Sequence, residues 1–378
     1  MKRSADSGLY IAMFGHKRMP SREGGIEVVV TELSTRMVAL GHQVTCYNRS
    51  GHHISGSEYD QPTSYIYHGV RLKKVWTVNK RGLAAMSASV SAAFCTAFGR
   101  YDVVHIHAEG PSFMCWLPRL FGKKVIVTIH GLDWCRTKWG RFASWYIRTG
   151  EKCAVKYANQ IIVLSTAVQE YFKKKYERET VFIPNGVIKP KIREALEIEK
   201  RWGLQKNSYV LFLGRLVPEK GIHYLIEAWK SVSTEKKLVI VGGSSDTTEY
   251  INQLKEKADS DIIFTGFQQG CILDELYSNA YLYVLPSDLE GMPLSLLEAM
   301  SFGNCCLVSS IDECTQVVED HAVVFEKGNI TDLTEKIQYL INHPDIVKQY
   351  KDTAATFICE KYSWDDVVDR TIVLYRDE

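Results

Sequence analysis

Long apolar runs are missing from this chain of 378 residues. No stretch of roughly eighteen consecutive apolar residues occurs, which excludes a helix that spans a membrane. The apolar segment 9–14 is too short for the core of a secretory signal, so we expect a cytoplasmic protein. Internal repeats and low-complexity tracts are also lacking, and a hydrophobic content of 46% is ordinary for a globular protein. The length suits two domains better than one.

The cysteine pattern lacks the marks of a metal site. The ten cysteines include no pair spaced as Cys-x-x-Cys and no Cys/His quartet with zinc spacing. Most of them lie in apolar segments, where a reduced thiol packs as a small hydrophobic group. We therefore expect free thiols in the core, which agrees with a cytoplasmic location.

Two common nucleotide-binding signatures are absent. A first strand ends at Gly15, and a loop leads to Gly24 and Gly25 at the start of a helix, but neither the dinucleotide-binding glycine pattern nor the P-loop occurs. Paired glycines at a helix N-terminus allow a phosphate to approach backbone N–H groups. A simple turn explains the pair equally well, so both interpretations stay open.

The net charge of +2 conceals an asymmetry between the halves of the chain. Residues 1–185 contain 26 Lys and Arg against 13 Asp and Glu, whereas the remainder contains 20 against 31. Such a split indicates two domains with different partners, and the basic half suits nucleic acid, an anionic membrane or a phosphorylated substrate. Nucleic acid is not expected, because no recognition motif accompanies the charge. Mere complementarity between the halves is the remaining interpretation.

Short apolar runs alternate with amphipathic stretches along the whole chain, as in parallel α/β units. We predict two doubly wound Rossmann-like domains that join near residue 186 and face each other across a cleft. Strands are predicted at 10–15, 43–48, 70–77, 102–107, 124–130, 160–165 and 180–184, and again at 209–214, 237–242, 261–266, 281–286, 305–309 and 322–325. Helices are predicted at 25–40, 83–98, 143–157, 221–232, 249–258, 293–302 and through most of 331–375, with 49–67 as a loop.

A pair of basic residues opens the second series. Arg215 and Lys220 lie in the loop that follows its first strand and precedes a helix. In doubly wound sheets, ligands bind at the carboxyl ends of the strands. A guanidinium fork and an ammonium point charge together suit a diphosphate, although two solvated loop charges would look the same.

Two carboxylates flank a helix start in the segment 286–300. Glu290 precedes the helix, Pro293 fits its first turn, and Glu298 lies inside it. The N–H groups near Gly291, Met292 and Leu294 suit phosphate or sugar oxygens. Glu298 has apolar neighbours on both sides, where a carboxylate without a partner is costly.

The two-series layout, the loop Arg215…Lys220 and the motif Glu290…Glu298 resemble the retaining GT-B glycosyltransferases of group 1, also called family 4, over nearly the whole chain. The resemblance implies an acceptor-binding domain at 1–186 and a nucleotide-sugar donor domain at 187–360. It also implies a C-terminal helix at 361–378 that returns to the first domain, with Trp364 and Tyr375 as packing anchors.

The resemblance also implies a role for each site residue. The catalytic residues would be Glu290, His130, Arg215 and Lys220. His130, which ends a strand of the first domain, would contact the donor sugar, unless it is a capping or core histidine. Glu290 would contact the sugar and Glu298 the nucleotide ribose. The donor-binding residues would be Gly24, Gly25, Arg215, Lys220, Gly266, Phe267, Glu290, Gly291, Met292, Leu294 and Glu298.

A metal is not expected. His105, His107 and Glu109 have a spacing that suggests a metal alternative, because His105 and His107 point to the same side of their strand. The resemblance implies instead a metal-independent enzyme without a cofactor, in which the diphosphate leaves from the face that the acceptor attacks. Asp259 and Asp261 form an Asp-x-Asp, but at the edge of the sheet opposite to the ligand edge.

Aromatic and basic residues mix at 134–148, as in helices that lie at a membrane interface. They are Trp134, Arg136, Lys138, Trp139, Arg141, Trp145 and Arg148, with lysines at 123–124 and 173–175 nearby. A packed tryptophan face with a solvated basic face is the alternative interpretation. We expect transfer to a glycan or lipid-linked glycan in cell-surface polysaccharide synthesis, at the inner face of the membrane. The alternatives are a silent nucleotide-sugar-binding subunit, and a synthase that makes a sugar-phosphate or a disaccharide.

Overall fold

The computed structural model describes residues 8–50, 66–78, 80, 82–135, 140–243 and 247–377. Contacts divide the chain into two compact units. The first comprises Met1–Asn185 together with Trp364–Glu378, and the second comprises Gly186–Ser363. Arg136, Lys138 and Trp139 of the predicted interfacial segment lie outside the described residues.

The first unit is built on an eight-stranded sheet with the order β3-β4-β2-β1-β5-β6-β7-β8, and only β3 runs antiparallel to its neighbour. Its inner strands are buried along most of their length because helices cover both faces. The strands are β1 (Tyr10–Phe14), β2 (Gln43–Arg49), β3 (Ile66–Tyr67), β4 (Val70–Val75), β5 (Val103–His107), β6 (Lys124–Ile129), β7 (Gln160–Val163) and β8 (Val181–Phe182).

Five helices connect these strands: α1 (Gly25–Ala39), α2 (Leu83–Phe98), α3 (Trp116–Leu120), α4 (Arg141–Tyr157) and α5 (Thr166–Tyr176). Right-handed crossovers place α2, α3 and α4 on one face of the sheet and α1 on the other. Accordingly, α3 contacts both α2 and α4. The buried core includes Phe14, Ile106, Val127 and Phe172.

The second unit has a six-stranded, wholly parallel sheet with the order β11-β10-β9-β12-β13-β14. Its strands are β9 (Tyr209–Leu213), β10 (Lys237–Val241), β11 (Ile262–Gly266), β12 (Leu282–Leu285), β13 (Cys306–Ser309) and β14 (Val323–Phe325). Its helices are α6 (Glu197–Trp202), α7 (Ile222–Trp229), α8 (Thr248–Glu256), α9 (Cys271–Asn279), α10 (Leu294–Ser301), α11 (Asp312–Val318), α12 (Ile330–Asn342) and α13 (Pro344–Lys361).

The last helix, α14 (Trp364–Arg376), belongs to the first unit and contacts α1. Trp364 and Tyr375 are both buried, and the Tyr375 hydroxyl lies 2.5 Å from His105 Nδ1. Arg36 of α1 forms an ion pair with Asp365 at 2.5 Å. The prediction that the final helix returns to the first domain, with these two aromatic anchors, is therefore confirmed.

Two sequence-based expectations need correction. Ile66–Tyr67, predicted as the end of a loop, pairs antiparallel with β4, because Gly69 at φ +81° supports a tight turn between them. Not every thiol is in the core either: Cys95 and Cys271 are exposed, whereas Cys46, Cys115, Cys305, Cys306 and Cys314 are buried. The nine cysteines whose side chains the structure describes are all free thiols.

A search of the described helices for a bilayer-spanning segment finds none that is both long and apolar enough.

Candidate functional site

The centre of the second sheet is a topological switch point. Strands β9 and β12 are neighbours there, while the chain continues to β10 on one side and to β13 on the other. Loops at the carboxyl ends of such strands diverge and leave room for a ligand. Arg215 follows β9 and Glu290 follows β12, so the topology brings the predicted basic and acidic residues to the same edge.

The loops after β9 and β12 lie in direct contact. The Asp288 N–H donates to the Glu219 carbonyl at 2.9 Å. Gly221 has φ +66°, and a Cβ placed on it would lie 1.9 Å from the Pro286 carbonyl oxygen. Only glycine satisfies both conditions, so Gly221 sets how closely the two loops approach each other.

Lys220 and Glu290 form an ion pair within this contact. Lys220 Nζ lies 2.5 Å from Glu290 Oε1, and the two side chains are only 12% and 8% exposed. The Ser287 hydroxyl donates to the same oxygen at 2.6 Å and thereby fixes the orientation of the carboxylate. Arg215 is half-buried in the same loop as Lys220. The site thus holds two cations and one oriented carboxylate at the carboxyl edge of the sheet.

Two residues in the first turn of α11 complete the surroundings of this ion pair, and the sequence analysis missed them. Burial raises the pKa of Glu313, and the charges of Asp312 and Glu290 add to the effect. Burial, together with the Glu290 charge, raises the pKa of the Cys314 thiol well above its usual range. Neither residue belongs to a recognisable motif; only the adjacency of β13 to β12 brings them near.

Glu298 lies inside α10, as predicted. Its Oε2 accepts a hydrogen bond from the Tyr277 hydroxyl at 3.2 Å, so the carboxylate that the sequence placed among apolar neighbours has a partner. The helix begins at Leu294 with Pro293 as its N-cap residue, and Gly291 and Met292 are buried just before it. The N-terminus of α10 therefore lies at the same sheet edge as Glu290.

The loops after β10 and β11 stack beside the loop after β9. A Cβ on Gly242, whose φ is +138°, would lie 1.8 Å from the Gly214 carbonyl oxygen. The Gly242 N–H donates to the Gly266 carbonyl at 2.9 Å. Phe267, half-buried, follows Gly266 directly. Gly266 and Phe267, predicted to bind the donor, thus share the ligand edge with Arg215 but lie towards the outer strand of the sheet.

In the first unit, Gly24 and Gly25 mark the start of α1 as predicted. The Lys17 N–H donates to Glu27 Oε1 at 2.8 Å, and Glu27 Oε2 lies 2.5 Å from the position of a Cβ on Gly24. A carboxylate of the helix itself therefore already occupies the space over this N-terminus. This geometry favours the turn interpretation of the glycine pair, and its role towards a phosphate stays a prediction.

His130 belongs to a histidine cluster at the carboxyl ends of β1, β5 and β6. His107 Nδ1 lies 3.1 Å from His130 Nε2, and the rings of His105 and His107 stack at 4.2 Å. Burial lowers the pKa of His16 to about 4, that of His105 to about 3, and that of His107 well below its usual range. These three histidines are therefore neutral at physiological pH.

The metal alternative finds no support in the contacts of its residues. His105 uses Nδ1 towards Tyr375 and Nε2 towards the Thr128 hydroxyl, at 2.7 Å for the latter. Glu109 accepts from the Asp133 N–H at 2.8 Å, and burial raises its pKa well above its usual range. Across the ranges that the structure describes, no three His, Cys, Asp or Glu side chains are grouped to hold a metal ion.

Two predicted motifs remain, the Asp-x-Asp at 259–261 and the aromatic and basic residues of 134–148. Some of their side chains make contacts within the protein and others are exposed. Asp261 accepts from the Trp229 indole at 2.7 Å before β11, so the Asp-x-Asp includes a buried contact rather than being a wholly solvated turn. Trp134 donates to buried Glu151 at 3.1 Å and lies under Arg148, as the alternative of a packed tryptophan would have it. Trp145 is 59% exposed, as an interfacial residue would be.

Structural comparison defines the class of protein. The Anabaena protein HepE, solved in complex with UDP-glucose, has a TM-score of 0.79 to this chain at 15% identity, and the match covers 97% of this chain and 98% of that one. Together with the two doubly wound sheets and the returning helix, this likeness shows that the chain has the GT-B fold.

Family comparison is more specific. Residues 23–188 match the family described as glycosyltransferase family 4, and residues 194–377 match the family described as glycosyl transferases group 1. The chain therefore belongs to the group 1 glycosyltransferases.

Among relatives, a glycosyltransferase of Methanocaldococcus jannaschii is 25% identical over 97% of each chain. The N-acetyl-alpha-D-glucosaminyl L-malate synthase of Bacillus anthracis is 22% identical over 94% of each. The UDP-Gal:alpha-D-GlcNAc-diphosphoundecaprenol alpha-1,3-galactosyltransferase of Escherichia coli is 31% identical over 56% of this chain and 59% of its own length.

Proposed function

We propose that this glycosyltransferase takes a nucleotide diphosphate sugar as donor and transfers the sugar, with retention of configuration, to a hydroxyl of a glycan or lipid-linked glycan. The observation that carries the proposal is the buried Lys220–Glu290 pair beside Arg215 at the switch point of the second sheet. Two relatives support it by their names, one a UDP-galactose transferase to a diphosphoundecaprenol-linked sugar and the other a synthase.

The chemistry follows from the charges at this edge. Breaking the bond between the sugar and the diphosphate leaves negative charge on the departing oxygen, and preorganised cations stabilise that charge in the transition state. Arg215 and Lys220 supply the cations, and the N-terminus of α10 supplies backbone N–H groups. The acceptor oxygen then bonds to the same face of the sugar and releases its proton to the departing phosphate. Glu290 stabilises positive charge on the sugar. The role of His130 towards the donor sugar stays a prediction.

Transfer assays with Arg215→Ala and Lys220→Ala test the site. Each substitution should lower the rate by roughly two to three orders of magnitude, the range expected when one charge-stabilising group is removed. Lys230→Ala is the matched control, because Lys230 pairs with half-exposed Glu227 at the surface. Wild-type rates in both site variants would refute the assignment, and NMR of the anomeric product would decide between retention and inversion.

A synthase with a small acceptor is the second candidate, because the Bacillus anthracis relative covers 94% of both chains. A soluble organic acid or sugar phosphate would then be glycosylated in the absence of any lipid. A silent binding subunit would bind the nucleotide without even slow hydrolysis of the nucleotide-sugar, which a purified preparation can show directly.

We also propose that the protein associates peripherally with anionic membranes, where a lipid-linked acceptor would be presented. The excess of basic residues in the first 185 positions supports this, as do Arg141 and Arg148 beside exposed Trp145 on α4. Each basic group near an anionic surface contributes about 1 kcal/mol, and less at high salt. Co-sedimentation with anionic vesicles at low salt, release at high salt and no binding to neutral vesicles are the expected results.

A further inference from the structure

Helix α2 buries its small side chains and exposes its large apolar ones. Its buried residues are Ala88, Ser89, Ala92, Ala93, Thr96 and Ala97. Val90, Phe94 and Phe98 are exposed, and their spacing of four residues places them on one side of the helix. Helices at a protein surface normally have the opposite arrangement. Burying a phenylalanine removes much more apolar surface from water than burying an alanine. Helix α2 therefore keeps a large apolar surface exposed to water that a contact could bury.

The neighbouring helix α3 extends this surface. The Phe98 ring lies 6.4 Å from that of Phe94 on one side and 4.6 Å from that of Phe121 on the other. Phe98 and Leu120 are 67% and 74% exposed. We call the set Val90, Phe94, Phe98, Trp116, Leu120 and Phe121 the aromatic face. A contiguous apolar patch of this kind on a soluble unit marks an interaction surface.

Helix α4, which contacts α3 on the same face of the sheet, also carries exposed aromatic residues. The rings of Phe142 and Trp145 lie 5.8 Å apart near the start of α4, and 65% of Phe142 is exposed. Three adjacent helices on one face of the sheet thus carry exposed large apolar side chains, whereas α1 and α14 lie on the other face.

The charges near the aromatic face are mainly basic, although Asp102 is exposed. Between residues 61 and 108 the sequence contains one acidic residue, Asp102, whose carboxylate accepts from the Tyr10 N–H at 2.8 Å. Arg100 and Arg119 are exposed. The Lys123 ammonium is fixed at the end of α2 by a 2.7 Å hydrogen bond to the Gly99 carbonyl. An apolar surface with a basic rim is complementary to lipid acyl chains beneath anionic headgroups.

We propose that the aromatic face is the surface that inserts into an anionic bilayer, with Arg100, Arg119 and Lys123 contacting lipid phosphates. This inference rests on the membrane association proposed above and names its surface. A second copy of the chain is a poorer occupant, because a two-fold interface would bring two equal basic rims against each other. Insertion adds apolar burial to the electrostatic attraction, so binding at low salt should need the apolar residues as well as the basic rim.

A matched pair of double variants tests this surface. Phe98→Ser with Leu120→Ser should reduce co-sedimentation with mixed phosphatidylglycerol and phosphatidylcholine vesicles by about tenfold or more, since two apolar anchors are lost. The control, Leu40→Ser with Val373→Ser, changes two apolar residues that are 57% and 55% exposed on the α1–α14 side, and it should bind like wild type. All four positions are exposed, so folding should be preserved.

The exposed thiols provide an independent measurement. An environment-sensitive fluorophore on Cys95, with Cys271 changed to Ser, reports from α2 beside Phe94. The same fluorophore on Cys271, with Cys95 changed to Ser, reports from the second unit. Anionic vesicles should shift the emission of the Cys95 label to shorter wavelength and leave that of the Cys271 label unchanged.

Different results would refute the insertion of the aromatic face and the peripheral association with the membrane. Wild-type binding by the Phe98/Leu120 variant and an unshifted Cys95 label would refute insertion but leave peripheral association intact. No sedimentation of the wild-type protein at low salt would refute both, and a dimer abolished by the Phe98/Leu120 variant would identify the aromatic face as a self-association surface instead. Nucleotide-sugar hydrolysis, measured without lipid, should be equal in all these variants, so a defect in the donor site would be recognised separately.

Discussion

At the active edge of the second sheet, Glu290 and Lys220 neutralise each other in a setting where each is largely shielded from water. A diphosphate that binds Lys220 must compete with that carboxylate, because the ammonium lies 2.5 Å from Glu290 Oε1. Close opposite charges interact strongly where water is scarce. The pair therefore links donor binding to the position of Glu290.

Glu290→Gln should separate binding from catalysis. Loss of the competing charge should tighten the binding of a nucleoside diphosphate, whereas the transfer rate should fall by roughly two to three orders of magnitude. Titration calorimetry with the diphosphate and initial-rate assays measure the two effects. Glu319→Gln is the control, since Glu319 pairs with Lys361 at 2.7 Å on the surface. If affinity falls together with rate, the proposed competition is wrong.

His16 makes the stability of the first unit sensitive to acid. Its Nε2–H donates to Asn48 Oδ1 at 2.9 Å, its Nδ1 is buried with no partner among the described residues, and burial lowers its pKa to about 4. Below about pH 6.5 the unfolded chain binds a proton that the folded chain does not bind. The unfolding free energy should therefore fall between pH 6.5 and pH 4, by about 3 kcal/mol from this residue.

His16→Gln keeps a donor for Asn48 and removes the titration. Urea unfolding of the wild type and the variant across that pH range should give curves that converge as the pH falls. Parallel curves would show that His16 does not cause the acid sensitivity.

At the level of single residues, the sequence predicted the position of those site residues that directly follow a strand along the chain. Arg215, Lys220 and Glu290 each follow a strand, so their arrival at one sheet edge could be predicted. Glu313 and Cys314 follow a different strand without a motif, and their place beside Glu290 depends on the strand order. The partner of Trp134, the buried carboxylate of Glu151, could not be predicted, because composition does not reveal it.

At the scale of elements, Gly221 allows the two loops that carry Lys220 and Glu290 to pack closely. Gly221→Ala places a Cβ 1.9 Å from the Pro286 oxygen at a positive φ, whereas Gly203→Ala has nearly the same φ, +67°, with nothing within 4 Å. Both variants share the cost of a left-handed alanine, roughly 1 kcal/mol. Gly221→Ala should be less stable than Gly203→Ala by at least about 2 kcal/mol and should lose most of its activity, because the clash moves Lys220 from Glu290. Equal urea midpoints and equal rates would contradict this.

Elements were predictable where burial imposes a simple pattern. The inner strands β1, β6, β9 and β12 are mostly apolar and were located within a residue or two, as was β5 in spite of its two histidines. The two-residue strand β3 was missed, because an edge strand needs no apolar run. Helix α2 was predicted, but its exposed side was not. With apolar residues on all sides of the helix, its sequence does not indicate which side is buried.

At the scale of the whole molecule, the two units differ in charge, and the family assignment covers both. The returning helix α14 was predictable from the resemblance and not from local pattern, since its anchors Trp364 and Tyr375 look like ordinary core residues. The motifs found in the sequence concern the donor, so they do not specify the acceptor.

Metal independence is a prediction about the complete enzyme. Both nitrogens of His105 are engaged, and the described residues contain no group of donors that could hold a metal. EDTA should therefore leave the transfer rate unchanged. A loss of rate that added Mn²⁺ or Mg²⁺ restores would contradict this prediction and would show that the donor site needs a metal ion.

The central claim is that the carboxyl edge of the second sheet binds a nucleoside diphosphate through Arg215 and Lys220. A thermal-shift series with UDP, GDP, ADP and dTDP tests it most directly, because binding to the folded state alone stabilises a protein by about 2.7 kcal/mol at one hundred times the Kd. At least one diphosphate should raise the Tm of the wild-type protein, and the combined Arg215→Ala and Lys220→Ala variant should lose that increase. No shift with any of the four, or an equal shift in the variant, would contradict the claim.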